Sequence, residues 1–284
     1  MWGEILAVTT SLMWAASTVL SAEALKKVDP IRSNTIKTLS SALLMFPIAF
    51  AAGEMNNLSE VSLYGLFLVI AAALVGFGIG DTLFLKSMTL IGVSRAYTST
   101  YTYPLFTMII AVTFLQESFS LEALIGTILI VSSVILILTD SDGHQGEKNL
   151  KGFLMALGTS LTWAVGIILV ALGVKEMGVI LANALRYPVL FFFLLAVSKP
   201  RKPWNIDKRS LLLLSASGAL GMVIGGITFL YSLNIIGASR ATPLSASSPV
   251  WAAIMSSLFL KEKVTPKILL AAVAVVIGIY FLTS

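Results

Sequence analysis

From the N-terminus onward the chain alternates between long apolar runs and short polar breaks. The apolar runs cover residues 3–22, 32–52, 62–90, 93–115, 121–139, 151–172, 179–197, 209–235, 239–260 and 266–283. A membrane-crossing helix needs about 20 mostly apolar residues. The pattern therefore predicts an all-α polytopic membrane protein with ten transmembrane helices. A membrane β-barrel would alternate apolar and polar positions within each strand, and this sequence does not. The runs 62–90 and 209–235 are long for one span and predict tilted or bent helices. Short breaks predict antiparallel packing between neighbours in the sequence. The opening stretch MWGEILAVTTSLMWAASTVL has no basic leader and carries Glu4, so it is expected to be an uncleaved first span.

The polar positions inside this apolar pattern repeat. TSLMWA at 10–15 returns as TSLTWA at 159–164, an offset of 149. The same offset relates Lys26 to Lys175, Asn34 to Asn183 and Lys37 to Arg186. From the third run onward the offset is 145. It relates Gly76 to Gly221, Gly80 to Gly225, Phe84 to Phe229, Ser87 to Ser232, Pro104 to Pro249 and Glu117 to Glu262. It also relates the heptapeptides LIGVSRA (90–96) and IIGASRA (235–241). Ordered matches along five runs predict an internal duplication: residues 1–139, a polar linker 140–150, and residues 151–284. Five is an odd number of spans, so the second copy must enter the membrane from the opposite side. The prediction is two inverted five-helix repeats, an architecture of secondary transporters, with the working site near mid-membrane between the halves. Each heptapeptide is expected to form the turn between a third and fourth helix. Gly92 or Gly237 would bend it, Ser94 or Ser239 would cap the next helix, and Arg95 and Arg240 would anchor at opposite faces.

Composition narrows the chemistry. Hydrophobic residues make up 57% and charged residues 12% of the chain, against about 25% charged in soluble domains. The absence of cysteine excludes disulfides, thiolate metal sites and cysteine nucleophiles. The single histidine, His144, lies in the polar linker, away from any partner for zinc or a Ser-His triad. An intramembrane aspartyl protease needs two close carboxylates, and only Asp81 lies deep within a run. No G-x-x-x-x-G-K-[ST] appears. The sequence thus predicts a protein that is not an enzyme, with no cofactor and no metal, drawing on an ion or substrate gradient. The net charge of +5 fits basic loops facing anionic lipid and implies no nucleic-acid partner. Of the 19 Lys and Arg, 14 fall in loops on one side, 2 on the side of the termini, and Lys37, Lys86 and Arg186 within runs. The positive-inside rule then places both termini outside.

These features together resemble the drug/metabolite transporter superfamily, specifically its ten-helix EamA-type members. The residues that carry the resemblance are Trp14-Ala15 and Trp163-Ala164, the basic Lys37 and Arg186, and Pro104 or Pro249 followed thirteen positions later by Glu117 or Glu262. Gly126 follows Glu117 by nine, whereas the second half has Ala271 at that spacing. The resemblance implies a transporter of small metabolites, often an exporter, with a central cavity between the halves and both termini inside. It leaves the substrate open among amino acids, nucleotide sugars and lipid carriers.

The candidate substrate pathway follows from polar and aromatic positions within the runs. Asp81 is costly at membrane depth and points to amine recognition, proton coupling or an ion pair with Lys37 or Lys86. Lys37 and Arg186 suit either snorkelling to the interface or an anion-binding or gating pair. Trp14 with Ser11, and Trp163 with Ser160, share helix faces three positions apart. Tyr97, Thr100, Tyr101 and Tyr103 precede Pro104, and Ser245 and Ser248 precede Pro249. A proline kink there would free carbonyls to line a cavity. Gly76-x-x-x-Gly80 and Gly221-x-x-x-Gly225 predict close packing of the third and eighth helices. Glu117 and Glu262 are expected to be anchors or caps. The leading expectation is a plasma-membrane secondary transporter of small metabolites such as amino acids, with a bilayer, a small-molecule substrate and coupling protons as partners. Alternatives are a lipid-carrier or nucleotide-sugar translocator, or a non-transporting assembly subunit.

Overall fold

Two long helices open the chain, α1 (Trp2–Leu25) and α2 (Pro30–Ala51). Asp29 starts α2: its carboxylate accepts the Arg32 N–H at 3.1 Å, and Pro30 occupies the first turn, where no amide hydrogen is needed. A 3₁₀ segment, Glu54–Glu60, then turns the chain by 91°. The third apolar run forms α3 (Leu63–Ala72), a π-helical segment (Ala73–Gly80) and α4 (Asp81–Ile91) in succession. The first half closes with α5 (Tyr103–Phe114) and α6 (Leu121–Asp140). The second half contains α7 (Leu150–Met177), α8 (Val179–Val197) and α9 (Lys208–Ser217). A second π-helical segment (Gly218–Ile224), α10 (Gly225–Ile236), α11 (Ala238–Ser245) and α12 (Pro266–Thr283) complete it. This structure, a computed structural model, describes residues 1–91, 99–140, 150–198, 206–248, 250–251, 254–255 and 266–283.

Every regular element among the described residues is helical. Among the described residues, five helices are long and apolar enough to cross a membrane, Trp2–Leu25, Leu63–Phe84, Leu150–Met177, Val179–Val197 and Lys208–Ile236, and the bent pair Pro30–Ala51 with Glu54–Glu60 makes a sixth if it is one span. Large apolar side chains point outward along these surfaces; Leu43, Phe67 and Phe192 are each 66% exposed. That exposure is favourable only against hydrocarbon.

The bends expected in the long third and eighth spans take a definite form. The two π-helical segments begin at Ala73 and Gly218, positions related by the 145-residue offset. The first holds both glycines of its small-residue pair, Gly76 and Gly80, and the second holds Gly221, with Gly225 directly after it. These glycines do not pack the third helix on the eighth, as the sequence suggested. Gly76 faces Gly166 of α7, and Gly221 faces Ser17 of α1.

Neighbours in sequence are the lesser partners, contrary to the antiparallel-neighbour expectation. α1 lies mainly on α9, α10 and their π segment, whereas α7 lies mainly on α3, α4 and theirs. α2 pairs with α8 and α6 with α12, while α5 packs on α7 and on α11. The α6–α12 crossing is built on Gly126 and Gly278: a Cβ on Gly126 would stand 2.7 Å from the Gly278 carbonyl oxygen. The reason is physical. Lipid solvates apolar side chains as well as another helix does, so association follows small residues that let backbones approach.

The fourth and ninth spans are broken rather than kinked. α5 begins at Tyr103, so Pro104 sits in its first turn and costs no hydrogen bond. Thr102 marks the break, and its carbonyl accepts the Leu105 N–H at 3.1 Å. The second half repeats this at the equivalent position, with Val250 N–H donating to the Ser247 carbonyl at 3.0 Å. Pro249 lies outside the described residues.

Candidate functional site

The breaks, the π segments and the first helix of each half converge on one polar and aromatic cluster. At its centre is Asp81, the first residue of α4. The Trp163 indole N–H donates to one Asp81 carboxylate oxygen at 2.9 Å, and the Asn34 amide donates to the other at 3.4 Å. The Lys37 ammonium is near enough for its charge to act on Asp81 without closing to an ion pair. Of the expected partners, Lys37 acts on Asp81, and Lys86 is an exposed residue of α4. Trp163 and Asn34 are the direct ones.

Trp163 is held on three sides. Phe84 lies against it at 5.5 Å between ring centroids, and Tyr103 meets it edge-on at 5.6 Å. Gly80 makes room: a Cβ there would come within 2.7 Å of the indole. Tyr103 in turn meets Tyr101 at 5.9 Å, and the Tyr101 hydroxyl reaches the Ser248 hydroxyl at 3.3 Å, joining the two broken spans.

The serines expected to offer free hydroxyls are engaged. Ser160 donates to the Thr100 carbonyl at 2.7 Å and meets the Thr102 hydroxyl at 2.9 Å, so it satisfies the broken end of the fourth span. Ser11 is fully buried and turns its hydroxyl back on the Val8 carbonyl. Ser245 donates to the Ala7 carbonyl at 3.3 Å. Thr100 is buried at the same break. Tyr97 lies outside the described residues, as do Gly92, Ser94, Arg95 and Glu262.

The other half shows the matching frame with different polar content. Trp14 packs on Phe229 at 5.1 Å and its N–H donates to the Gly221 carbonyl at 3.1 Å, in the π segment. Arg186 does not snorkel; it is 4% exposed, and its guanidinium lies over the Phe77 and Tyr187 rings at 5.6 and 5.0 Å. It donates to the Tyr187 hydroxyl at 3.2 Å, and Tyr187 donates to the Met222 carbonyl. Residues not singled out from the sequence as site members, Asn34, Phe84 and Tyr187, thus shape the cluster, together with Tyr103 of the tyrosine-rich stretch before Pro104. Asn34 and Phe84 were detectable as repeat mates of Asn183 and Phe229.

The heptapeptide IIGASRA is also revised. Gly237, not Ser239, precedes the helix as its cap residue, with φ +77°. The capping acceptor comes from the other half: Glu117 accepts the Ala238 N–H at 2.7 Å, the Ser239 N–H at 2.9 Å and the Ser239 hydroxyl. A Cβ on Gly237 would fall 2.7 Å from that carboxylate, so glycine is required twice over. Gln116, with φ +53°, turns the chain so that Glu117 can reach across.

Outside the cluster, an apolar groove of about 380 Å³ runs between α2 and α8, lined by Leu39, Leu43, Phe46, Pro188, Phe191 and Phe192. Among the described residues no group of three or more His, Asp or Glu could hold a metal ion.

A polytopic helical bundle with broken spans and a buried polar centre has the construction of a membrane transporter. The family model for the EamA-like transporter family matches residues 1–139 and again 150–284, and the chain belongs to that family. An uncharacterized transporter of Archaeoglobus fulgidus is 23% identical over 280 residues, covering 98% of this chain and 96% of the relative. The uncharacterized transporter YoaV of Bacillus subtilis is 22% identical over 284 residues, covering 97% and 94%. A solved crystal structure shares the fold at a TM-score of 0.80 with 13% identity, covering 98% of this chain and 95% of its own.

Proposed function

We propose that this protein is a secondary transporter, working as an exporter, that moves small polar or amphipathic metabolites across the plasma membrane by alternating access. Amino acids are among its substrates, and protons are the coupling ion. Its working units are the halves 1–139 and 151–284, inverted relative to each other and joined by the linker 140–150. The supporting observation is the crosswise match between them. Trp14 packs on Phe229 and Trp163 on Phe84, at 5.1 and 5.5 Å, and these are repeat mates exchanged between halves. Such exchange gives two related arrangements of one interface, which is what rocking between outward and inward states requires. Asp81 lies at that interface as the proton-coupling or amine-recognising group. The pathway runs past Trp163, Tyr101, Thr100, Ser160, Ser245 and Ser248 on one side and Ser11 and Trp14 on the other. Lys37, Lys86 and Arg186 are the ion-pair or gating groups.

Counterflow in proteoliposomes with labelled amino-acid pools, with and without a proton gradient, tests the proposal. Accumulation of label against preloaded substrate is expected; its absence for every pool in sealed, correctly folded vesicles would reject transport of this class. The charge asymmetry of the loops supports termini on the outer side. Activity of a cytoplasm-only reporter fused after Ser284 would reverse that assignment. A second reading, a lipid-carrier translocator, draws on the apolar groove between α2 and α8. It requires protection of Phe46 and Phe192 from bilayer-soluble quenchers by a polyisoprenyl phosphate.

A further inference from the structure

The two halves hold the same cradle, and one of them is missing its carboxylate. In the first half the cradle consists of Asn34, Lys37 and the carboxylate of Asp81. The repeat offsets place Asn183, Arg186 and Gly226 at the equivalent positions. The equivalence holds in space as well. A Cβ on Gly226 would stand 2.5 Å from the Tyr187 hydroxyl, which leans into the space left by the missing side chain, 3.4 Å from the Asn183 amide oxygen and 3.5 Å from an Arg186 guanidinium nitrogen. Position 226 thus faces the Asn and the cation of its own half, as Asp81 faces Asn34 and Lys37.

The second cradle is unsatisfied. Asn183 is fully buried and Arg186 is 4% exposed, yet the Asn183 Oδ1 and the Arg186 Nε have no hydrogen-bond partner. No carboxylate lies within ion-pair distance of Arg186 among the described residues. The Tyr187 hydroxyl takes one guanidinium donor, at 3.2 Å, and the rings of Phe77 and Tyr187 cover its faces. Neither replaces a counter-charge. Buried cations are normally paired, and buried polar atoms left over at one spot point to a group that is absent.

We propose that Asn183 and Arg186 form a carboxylate-binding subsite for the substrate. The first half indicates the chemistry, since the group that fills its equivalent cradle is a carboxylate. The two free atoms refine it. The Arg186 Nε is a donor for the carboxylate, and the Asn183 Oδ1 is an acceptor for an N–H or O–H on the neighbouring carbon. The subsite therefore favours carboxylates carrying an amino or hydroxyl group at carbon 2. It rests on the transporter reading for its physiological role, not for its binding chemistry.

The test is equilibrium binding to the purified full chain in detergent, read by thermal shift and tryptophan fluorescence, with simple probes. Lactate is expected to bind saturably, propanoate several-fold more weakly, and lactamide and inorganic phosphate at least tenfold more weakly than lactate. Arg186→Gln is expected to weaken lactate at least tenfold and to abolish the distinction from lactamide; Arg186→Lys should retain the distinction. The wild-type probes decide the matter even where a variant does not fold. Equal binding of lactate and lactamide, no saturable binding of any carboxylate, or unchanged lactate binding in Arg186→Gln overturns the proposal. Carboxylate binding together with failed counterflow would sink the transport reading and leave the subsite standing; counterflow indifferent to the carboxylate would do the reverse.

Discussion

Replacing Glu117 by alanine should loosen the protein far from any substrate, because this carboxylate ties the end of α5 to the start of α11. It accepts two backbone N–H groups, at 2.7 and 2.9 Å, and the Ser239 hydroxyl. Loss of a helix cap costs about 0.5–2 kcal/mol, and hydrogen bonds to a charged group contribute about 1.5–3 kcal/mol each. Glu117 is half-buried, so water recovers part of that loss, and a net destabilisation of ~3 kcal/mol is expected. At roughly 2–4 °C per kcal/mol for a chain of this order of size, Tm should fall by roughly 6–12 °C. Glu117→Gln keeps one acceptor but loses the charge that faces the helix dipole, so about half the effect is expected. The assay is thermal unfolding in dodecyl maltoside followed by tryptophan fluorescence, with Glu60→Ala in the exposed 3₁₀ segment as reference. A double-mutant cycle with Ser239→Ala should show coupling above ~0.5 kcal/mol. A Glu117→Ala shift no larger than that of Glu60→Ala, or full additivity with Ser239→Ala, refutes the cross-half cap.

Asp81→Asn is expected to lower flux and flatten its dependence on external pH, while Trp163→Phe, which keeps the ring but loses the N–H donor, should reduce flux less; unchanged flux and pH profile in Asp81→Asn would remove the coupling role. Gly166→Ala should destabilise by about 1–3 kcal/mol, because its Cβ would stand 2.9 Å from the Gly76 Cα. Gly76→Ala should be tolerated, its Cβ meeting Gly166 at an ordinary 3.6 Å; thermal unfolding of the pair separates them, and equal shifts would contradict the packing. At the start of α9 the Ser210 hydroxyl and N–H hold the Asp207 carboxyl below the usual carboxylate range. With the folded value depressed, the cap's contribution is complete above the unfolded Asp value of about 3.9 and is lost as pH falls through the folded one. Hydrogen exchange at the Ser210 amide, corrected for intrinsic rate, should therefore show constant protection from neutral pH down to about 4 and loss below it; loss beginning near pH 6 would be inconsistent.

The order of helices and the repeat positions were readable in the sequence because both are one-dimensional. Apolar length marks each segment, and Trp14 with Trp163, or Phe84 with Phe229, mark equivalent places along it. Which helix touches which was not readable. Most of these helices are apolar on all sides, so no amphipathic stripe indicates a partner. The choice is made by where glycines and serines meet, as at Gly76 with Gly166 and Ser17 with Gly221. Repeat arithmetic gives equivalence, and equivalence is not contact: Gly76 and Gly221 are mates that each face the other half's first helix. Glu117 escaped for the same reason. Its type and its helix-end position suggested a cap, but the helix it caps lies 121 residues away. The broken fourth span was partly legible in Pro104, yet proline in a first turn and proline in a kink look alike until the helix start is known.

What matches between the halves and what differs follow different rules. The packing residues match: Trp on Phe, glycine beneath the indole at Gly80 and Gly225, a π segment starting at Ala73 and Gly218. Those positions must fit in both halves if the interface is to take two related arrangements. Several polar and aromatic residues of the centre do not match, although Asn34 with Asn183 and Ser11 with Ser160 do. Asp81 stands opposite Gly226, Lys37 opposite Arg186, Tyr101 opposite Ala246 and Tyr103 opposite Ser248. A centre with equal polar content in both halves would bind an asymmetric ligand equally well in two opposed orientations. Divergence at these positions removes that degeneracy while the Trp-on-Phe packing stays the same in both halves. Phe77, whose ring carries the Arg186 guanidinium, precedes Asp81 by four residues in the same continuous span. Phe77 belongs to the π-helical segment and Asp81 opens α4 directly after it, so one span carries the contact to the buried cation and, just beyond it, the carboxylate. On the proposed function and the proposed subsite, a ligand with charges of both signs, oriented one way only, is the guest such an arrangement would select.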